Sequence, residues 1–212
     1  SLFAVGKYND AVESYVRAIA IDPSNAEAWY FKGSAIFASG GYEDAIEAFN
    51  KALEIGRPPN IRRLFPHSRA LIVSGKVIDR AMLKKGRAMT MAANGRNAVV
   101  IRAALKAAQR ANAAIIIEIA KSESTYCLIN MWNLAQYVDS FCNELGITVP
   151  VAVHADHFGL KKPLEVESAQ VDVPSMFDFG ITSVAIDASH MSEEENLLAN
   201  IALNPVIPSW AG

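Results

Sequence analysis

The apolar positions of this chain follow two different rhythms. From Lys7 to Ile55 they recur three and four residues apart, the spacing that gathers side chains on one face of a helix. Beyond Asn60 they form short uninterrupted runs separated by further helical stretches. The first rhythm predicts helices over about 7–21, 26–38 and 42–55. Asp22-Pro23-Ser24-Asn25 ends the first and caps the second, because proline cannot continue a helix and asparagine offers an oxygen to the free amides of the next. The second rhythm predicts a helix over Lys76–Lys85 behind Ser74 as N-cap. It then alternates: strand 88–93, helix 98–110, strand 114–119, helix 131–145, strand 149–153, a long loop with a short helix ending at Phe179, strand 183–186 and helix 192–203. Uninterrupted β-branched runs mark strands buried on both faces, and strict alternation with helices implies a parallel sheet with right-handed crossovers.

The fold class expected is α/β, a partial (β/α) barrel of the TIM type behind an N-terminal all-α segment. Four βα units make half of an eight-fold barrel, so the strands should adjoin in the order in which they occur. The boundary lies in Gly56-Arg57-Pro58-Pro59-Asn60, where consecutive prolines end a helix and stiffen the chain. Residues 1–59 and 60–212 are therefore the two expected domains. Within the first, Gly6 and Gly40, Tyr8 and Tyr42, Ala11 and Ala45, Tyr15 and Phe49, Ala18 and Ala52, and Ile21 and Ile55 are each 34 positions apart. That period, with Trp29 and Gly33 in order, resembles the tetratricopeptide repeat (TPR), whose small residues let antiparallel helices approach. The resemblance implies a protein partner; a scaffold or an oligomerisation surface is the alternative. One and a half repeats are too few to bury their apolar faces alone, so the array is expected to begin before Ser1 or to dock on something.

Composition narrows the function. The 20 basic and 22 acidic residues nearly cancel, so bulk charge predicts neither nucleic-acid nor membrane binding. No run approaches the roughly 20 apolar residues of a membrane span, no signal sequence opens the chain, and Cys127 and Cys142 fit no metal or redox spacing. A cytoplasmic protein with two reduced thiols is expected.

Candidate chemistry sits after two of the apolar runs. Val149–Val153 leads into His154-Ala155-Asp156-His157, and Ser183–Ile186 into Asp187-Ala188-Ser189-His190. The carboxyl ends of parallel strands are where α/β folds hold ligands. From about Leu71 to Ala202 the chain resembles the class II, metal-dependent fructose-bisphosphate aldolases. The match rests on helix Lys76–Arg87, strand Ala88–Ala93 ending in Asn94, helix Val100–Ala108 before strand Ala114–Ile119, the H-x-D-H block at 154–157, and Gly180 through His190 with Glu194, Glu195 and Asn196.

The resemblance implies a lyase of carbohydrate metabolism that cleaves or forms fructose 1,6-bisphosphate from two triose phosphates, with zinc as cofactor. It implies that His157 is a zinc ligand, that Asp156 moves the proton of the hydroxyl beside the breaking bond, and that Asn94, Asp187 and Ser189 bind substrate. It also implies a homo-oligomer. Plainer roles stand beside these: His154 as an inward-packed, hydrogen-bonded residue, His190 as a helix cap, Asp187 as an acceptor for loop amides, Asn94-Gly95 as a turn, and His67 as merely exposed. Residues 158–179 exceed the family's usual connection, so substrate preference is expected to differ. The family's other two zinc histidines and its phosphate loops lie on later strands, so the zinc site is expected to be incomplete within residues 1–212, with this chain alone inactive. A TPR scaffold with a catalytically incomplete domain is the competing reading. A further one is that the two halves are not one natural polypeptide.

Overall fold

A computed structural model describes residues 7–211. It divides into two compact units, one reaching to Arg57 and the other beginning at Pro58. Gly6, the first member of the 34-residue pairing, lies outside the described residues.

The first unit holds helices α1 (Tyr8–Ile21), α2 (Ala26–Ala38) and α3 (Tyr42–Gly56). Its interior is built of alanine: Ala11, Ala28, Ala35, Ala45, Ala48 and Ala52 are all buried. Small side chains bring the backbones close enough for aromatic rings to fill the remaining gaps. At Gly33 an added Cβ would lie 2.9 Å from the Phe49 ring, and Tyr15 stacks on Phe31 at 5.7 Å. Asn25 caps α2 as expected, its Oδ1 accepting from the Ala28 amide at 2.9 Å.

The second unit is an α/β sheet with helices, a partial (β/α) barrel of the TIM type. Its elements are α4 (Pro59–Leu64), β1 (Ile72–Val73), α5 (Gly75–Lys85), β2 (Met91–Asn94), α6 (Ala98–Ala111), β3 (Ile115–Ala120), α7 (Leu134–Leu145), β4 (Val151–Gly159), α8 (Glu165–Asp178), β5 (Ser183–Asp187) and α9 (Glu193–Leu203). All pairings are parallel, and β2, β3, β4 and β5 adjoin in chain order. The unexpected β1 pairs with the start of β4, Ile72 opposite Val151.

The two faces of the sheet are packed differently. Ile115, Ile117 and Ile119 of β3 and Val151, Val153 and Ala155 of β4 join one large core with the apolar faces of α6, α7, α8 and α9. The alternate residues point the other way, where Ile116 and Ala152 meet Val73, with Ile78 and Met82 of α5. That second face carries the polar residues of the site.

Several boundaries differ from expectation for identifiable reasons. Strand β2 begins at Met91 because its partner β3 begins opposite at Ile115. Helix α7 starts at Leu134, since Asn130 and Asn133 hold the preceding turn: Asn130 Oδ1 accepts from the Trp132 amide and Asn133 Oδ1 from the Asn130 amide. The segment expected as a long loop and short helix is the 14-residue α8, with Pro174 inside it. Strand β4 does not stop at Val153 but runs on through the H-x-D-H block to Gly159.

Candidate active site at the carboxyl ends of the strands

Strand register puts four polar residues in one row. Asn94, Glu118, His154 and Ser183 are successive partners across β2, β3, β4 and β5. Partners at one level of a parallel sheet project from the same face. Asp156, two residues beyond His154, stands on that face one level higher, opposite Ala120.

The next residue breaks the alternation. Between the pairs Ala155–Val184 and Phe158–Ile186, β4 contains two residues and β5 only one, a bulge that breaks the register. His157 adopts φ +42°, left-handed backbone that is unfavourable for any side chain but glycine's. The extra residue resets the strand, so that Phe158 returns to the helix-side core. It also frees His157 from the core side that simple alternation would give it. His157 thus lies between two carboxylates: its Nδ1 lies 3.2 Å from Asp187 Oδ2, and its Nε2 lies 3.7 Å from Asp156 Oδ2.

Electrostatics follow from this crowding. The hydrogen bond with Asp187, reinforced by Asp156, raises the His157 pKa. Hydrogen bonds from Ser189, then from His157, lower that of Asp187 to about 2. Burial lowers the pKa of His154 although Asp156 opposes it, and this favours the neutral imidazole. Burial, then the proximity of Asp156, raises that of Glu118.

Every site residue expected from sequence can be located. Asp156, His157 and Asp187 converge at one edge. Asn94 stands at the same edge but is engaged by its neighbours: Nδ2 donates to Glu123 at 2.6 Å and Oδ1 accepts from the Arg96 amide at 3.1 Å. Ser189 is exposed, and its amide donates to Asp187 Oδ1 at 3.0 Å, so Asp187 does satisfy a loop amide as well as facing His157. His154 is packed and bonded, with Nδ1 2.8 Å from Ser183 Oγ. Ser183 itself sits tightly under α5, for a Cβ at Gly75 would lie 2.6 Å from its hydroxyl. His190 and His67 are exposed, and the cap of α9 is Ser192 rather than His190.

Sequence reasoning missed Glu118 and the Glu123–Arg96 pair, whose atoms are 2.8 Å apart. A lone acid in the run Ile115-Ile116-Ile117-Glu118-Ile119 was the available signal, because a strand covered on both faces seldom spares a position for a charge. Glu118, His154 and Asp156 each offer a ligand atom, and these atoms lie within 4.8 Å of one another. Imidazole nitrogen beside carboxylate oxygen is a donor set that suits zinc and similar divalent metals.

Comparison with known proteins identifies the family of the second unit. The profile of class II fructose-bisphosphate aldolase matches residues 76–202, more than half of the chain. The chain belongs to that family. Fructose-bisphosphate aldolases of Staphylococcus aureus and Staphylococcus epidermidis are each 33% identical to this aldolase-family chain over 104 residues, 49% of this chain and 33% of their own length. That of Streptococcus pyogenes serotype M3 is 31% identical over 127 residues, 59% of this chain and 39% of its own. The chain thus spans about a third of the length of the curated relatives it matches. Residues 1–60 match the tetratricopeptide repeat, which accounts for the alanine-lined helices ahead of the aldolase-family unit.

Proposed function

We propose that the second unit is the amino-terminal part of a zinc-dependent lyase that cleaves or forms fructose 1,6-bisphosphate from two triose phosphates. The observation that carries this reading is the convergence of Asp156, His157 and Asp187, brought about by the β4 bulge at the carboxyl edge of the sheet. Asp156 is assigned the proton of the substrate hydroxyl beside the scissile carbon–carbon bond. It lies on a strand that fixes its direction, and its side chain is about 29% exposed, open enough to meet a substrate. His157 is assigned to the metal, with Asp187 holding its ring through Nδ1 and so leaving Nε2 as the ligand atom. When bound, zinc supplies Lewis acidity toward the substrate carbonyl oxygen. Asn94, fixed by Glu123, and Ser189, beside Asp187, orient the triose through their polar side chains. Arg96, which pairs with Glu123, and Lys121, which donates to the Gly159 carbonyl, follow β2 and β3 at this edge.

No helix among the described residues is long and apolar enough to cross a membrane. A cytoplasmic location and a homo-oligomeric assembly complete the proposal. For the first unit the proposal is a protein partner, supported by the exposed Tyr30, Phe37, Tyr42 and Ile46 on its helices.

A coupled assay for triose phosphate release tests the enzymatic reading. The chain extended to the length of its relatives should cleave fructose 1,6-bisphosphate and lose that activity with a chelator, whereas residues 1–212 alone should not cleave it. Cleavage by the extended chain that is indifferent to chelator would refute the metal's part.

A further inference from the structure

The two oxygens of Asp156 face different imidazoles. Oδ2 is directed toward His157, whereas Oδ1 lies 4.0 Å from Nε2 of His154 on the inner face of the sheet. Glu118 is the register partner of His154 and brings its carboxylate into the same space. Among the described residues the Glu118 carboxylate accepts no hydrogen bond. Two carboxylates held together on rigid strands concentrate negative charge that the His157 ring beside them offsets only in part.

His154 is prepared for a different role from the one packing alone would give it. Its Nδ1 is engaged by Ser183 Oγ at 2.8 Å. With the proton on Nδ1 and donated to that hydroxyl, the lone pair on Nε2 points into the group formed with Asp156 and Glu118. An outer partner that fixes ring orientation and tautomer is the usual companion of a histidine metal ligand. Ser183 is buried and confined by Gly75, so the arrangement is held from outside the group.

We propose that Glu118, His154 and Asp156 form a divalent-cation site of the imidazole–carboxylate type, separate from the His157 ring assigned above to the catalytic zinc. Ligand atoms around a tetrahedral zinc stand roughly 3.5 Å apart. The three here lie within 4.8 Å, and rotation of the two carboxylates closes the difference. One nitrogen and two oxygens select zinc, cobalt or manganese over magnesium, which prefers oxygen alone. The site takes Oδ1 of Asp156 and leaves Oδ2 toward His157. The inference stands on strand register and does not require the aldolase reading to hold.

The test is titration of the whole chain with cobalt(II), followed by its visible absorption and by calorimetry. Wild type should take up one equivalent with a spectrum of low-coordinate nitrogen–oxygen ligation, and this should survive His157→Ala and a tenfold excess of magnesium. Glu118→Gln and His154→Gln should each weaken binding by about 100-fold or more, and Ser183→Ala by about 10- to 100-fold, the range for loss of an outer partner. Thermal melts establish that each variant is folded, and should either direct ligand variant fail to fold, the effect of Ser183→Ala decides. Absence of cobalt binding by wild type, binding unaltered in the Glu118 and His154 variants, or displacement by magnesium would each overturn the proposal. Binding lost in His157→Ala but retained in Glu118→Gln would overturn it while leaving the family-type metal assignment standing.

Discussion

The site depends on β4 and β5 being held in one register, and Thr182 sits just below the row that matters. Its amide donates to the Val153 carbonyl at 2.8 Å, and its hydroxyl both accepts from the Val153 amide at 2.9 Å and donates to the Val153 carbonyl at 3.2 Å. Thr182 is fully buried, so no water can replace that hydroxyl. Thr182→Val keeps the shape and deletes only the hydrogen-bonding oxygen, leaving the Val153 N–H without a partner in the core. An unsatisfied buried donor costs about 1–3 kcal/mol. A loss of about 2 kcal/mol corresponds to a fall in melting temperature of about 4–8 °C for a unit of this size. Thr182→Ser, which keeps the oxygen and loses one methyl group, should cost about 1 kcal/mol. Urea denaturation of both variants, followed by circular dichroism, measures the difference. A Thr182→Val protein as stable as wild type would show that the hydroxyl does not hold this register.

Three further predictions concern particular residues. Gly180→Ala places a side chain at φ +101° with its Cβ 2.5 Å from that of Ala135, and should destabilise the second unit by about 3 kcal/mol or more; melting within a degree of wild type would refute this. Burial pushes the Cys142 thiol up to about 12, whereas Cys127 is only partly buried; iodoacetamide should therefore modify Cys127 alone in the native protein and both thiols in urea, and mass spectrometry showing native Cys142 alkylation would contradict the packing. Because His157 holds φ +42°, His157→Gly should be more stable than His157→Ala by roughly 0.5–1 kcal/mol, the strain relieved less the added freedom of the unfolded chain; paired melts in which alanine is the more stable would remove the strain from the account.

Much of this architecture was legible because the relevant signals are local. Buried β-branched runs placed β3 and β5 within one residue, and helical spacing placed α1, α2, α3 and α6 almost as well. What escaped depends on distant partners. Two residues, Ile72 and Val73, carry no periodicity of their own and become a strand only because the start of β4 lies beside them. Helix α4 hides behind the prolines, and is secured by Asn60 Nδ2 donating to the carbonyls of Phe177 and Ile181, more than a hundred residues away. In α8 the spacing of Val166, Ala169, Val173 and Met176 was helical, but Pro174 masked it, because proline inside a helix removes a hydrogen bond of the backbone ladder. At the site, the H-x-D-H block could be seen but not the bulge that turns two adjacent residues toward one edge. The Glu118–His154 pairing was likewise invisible without the register of β3 on β4.

The claim most directly open to test is that Asp156 transfers the substrate's proton. In the chain extended to the length of its relatives, Asp156→Asn keeps the size and hydrogen-bonding shape of the side chain and removes its basicity. Turnover of fructose 1,6-bisphosphate in the coupled assay should fall by about two to four powers of ten, the usual contribution of a positioned acid–base group, with the KM little changed. Undiminished turnover in that variant would contradict the account, leaving the convergence of Asp156, His157 and Asp187 without the role assigned to it.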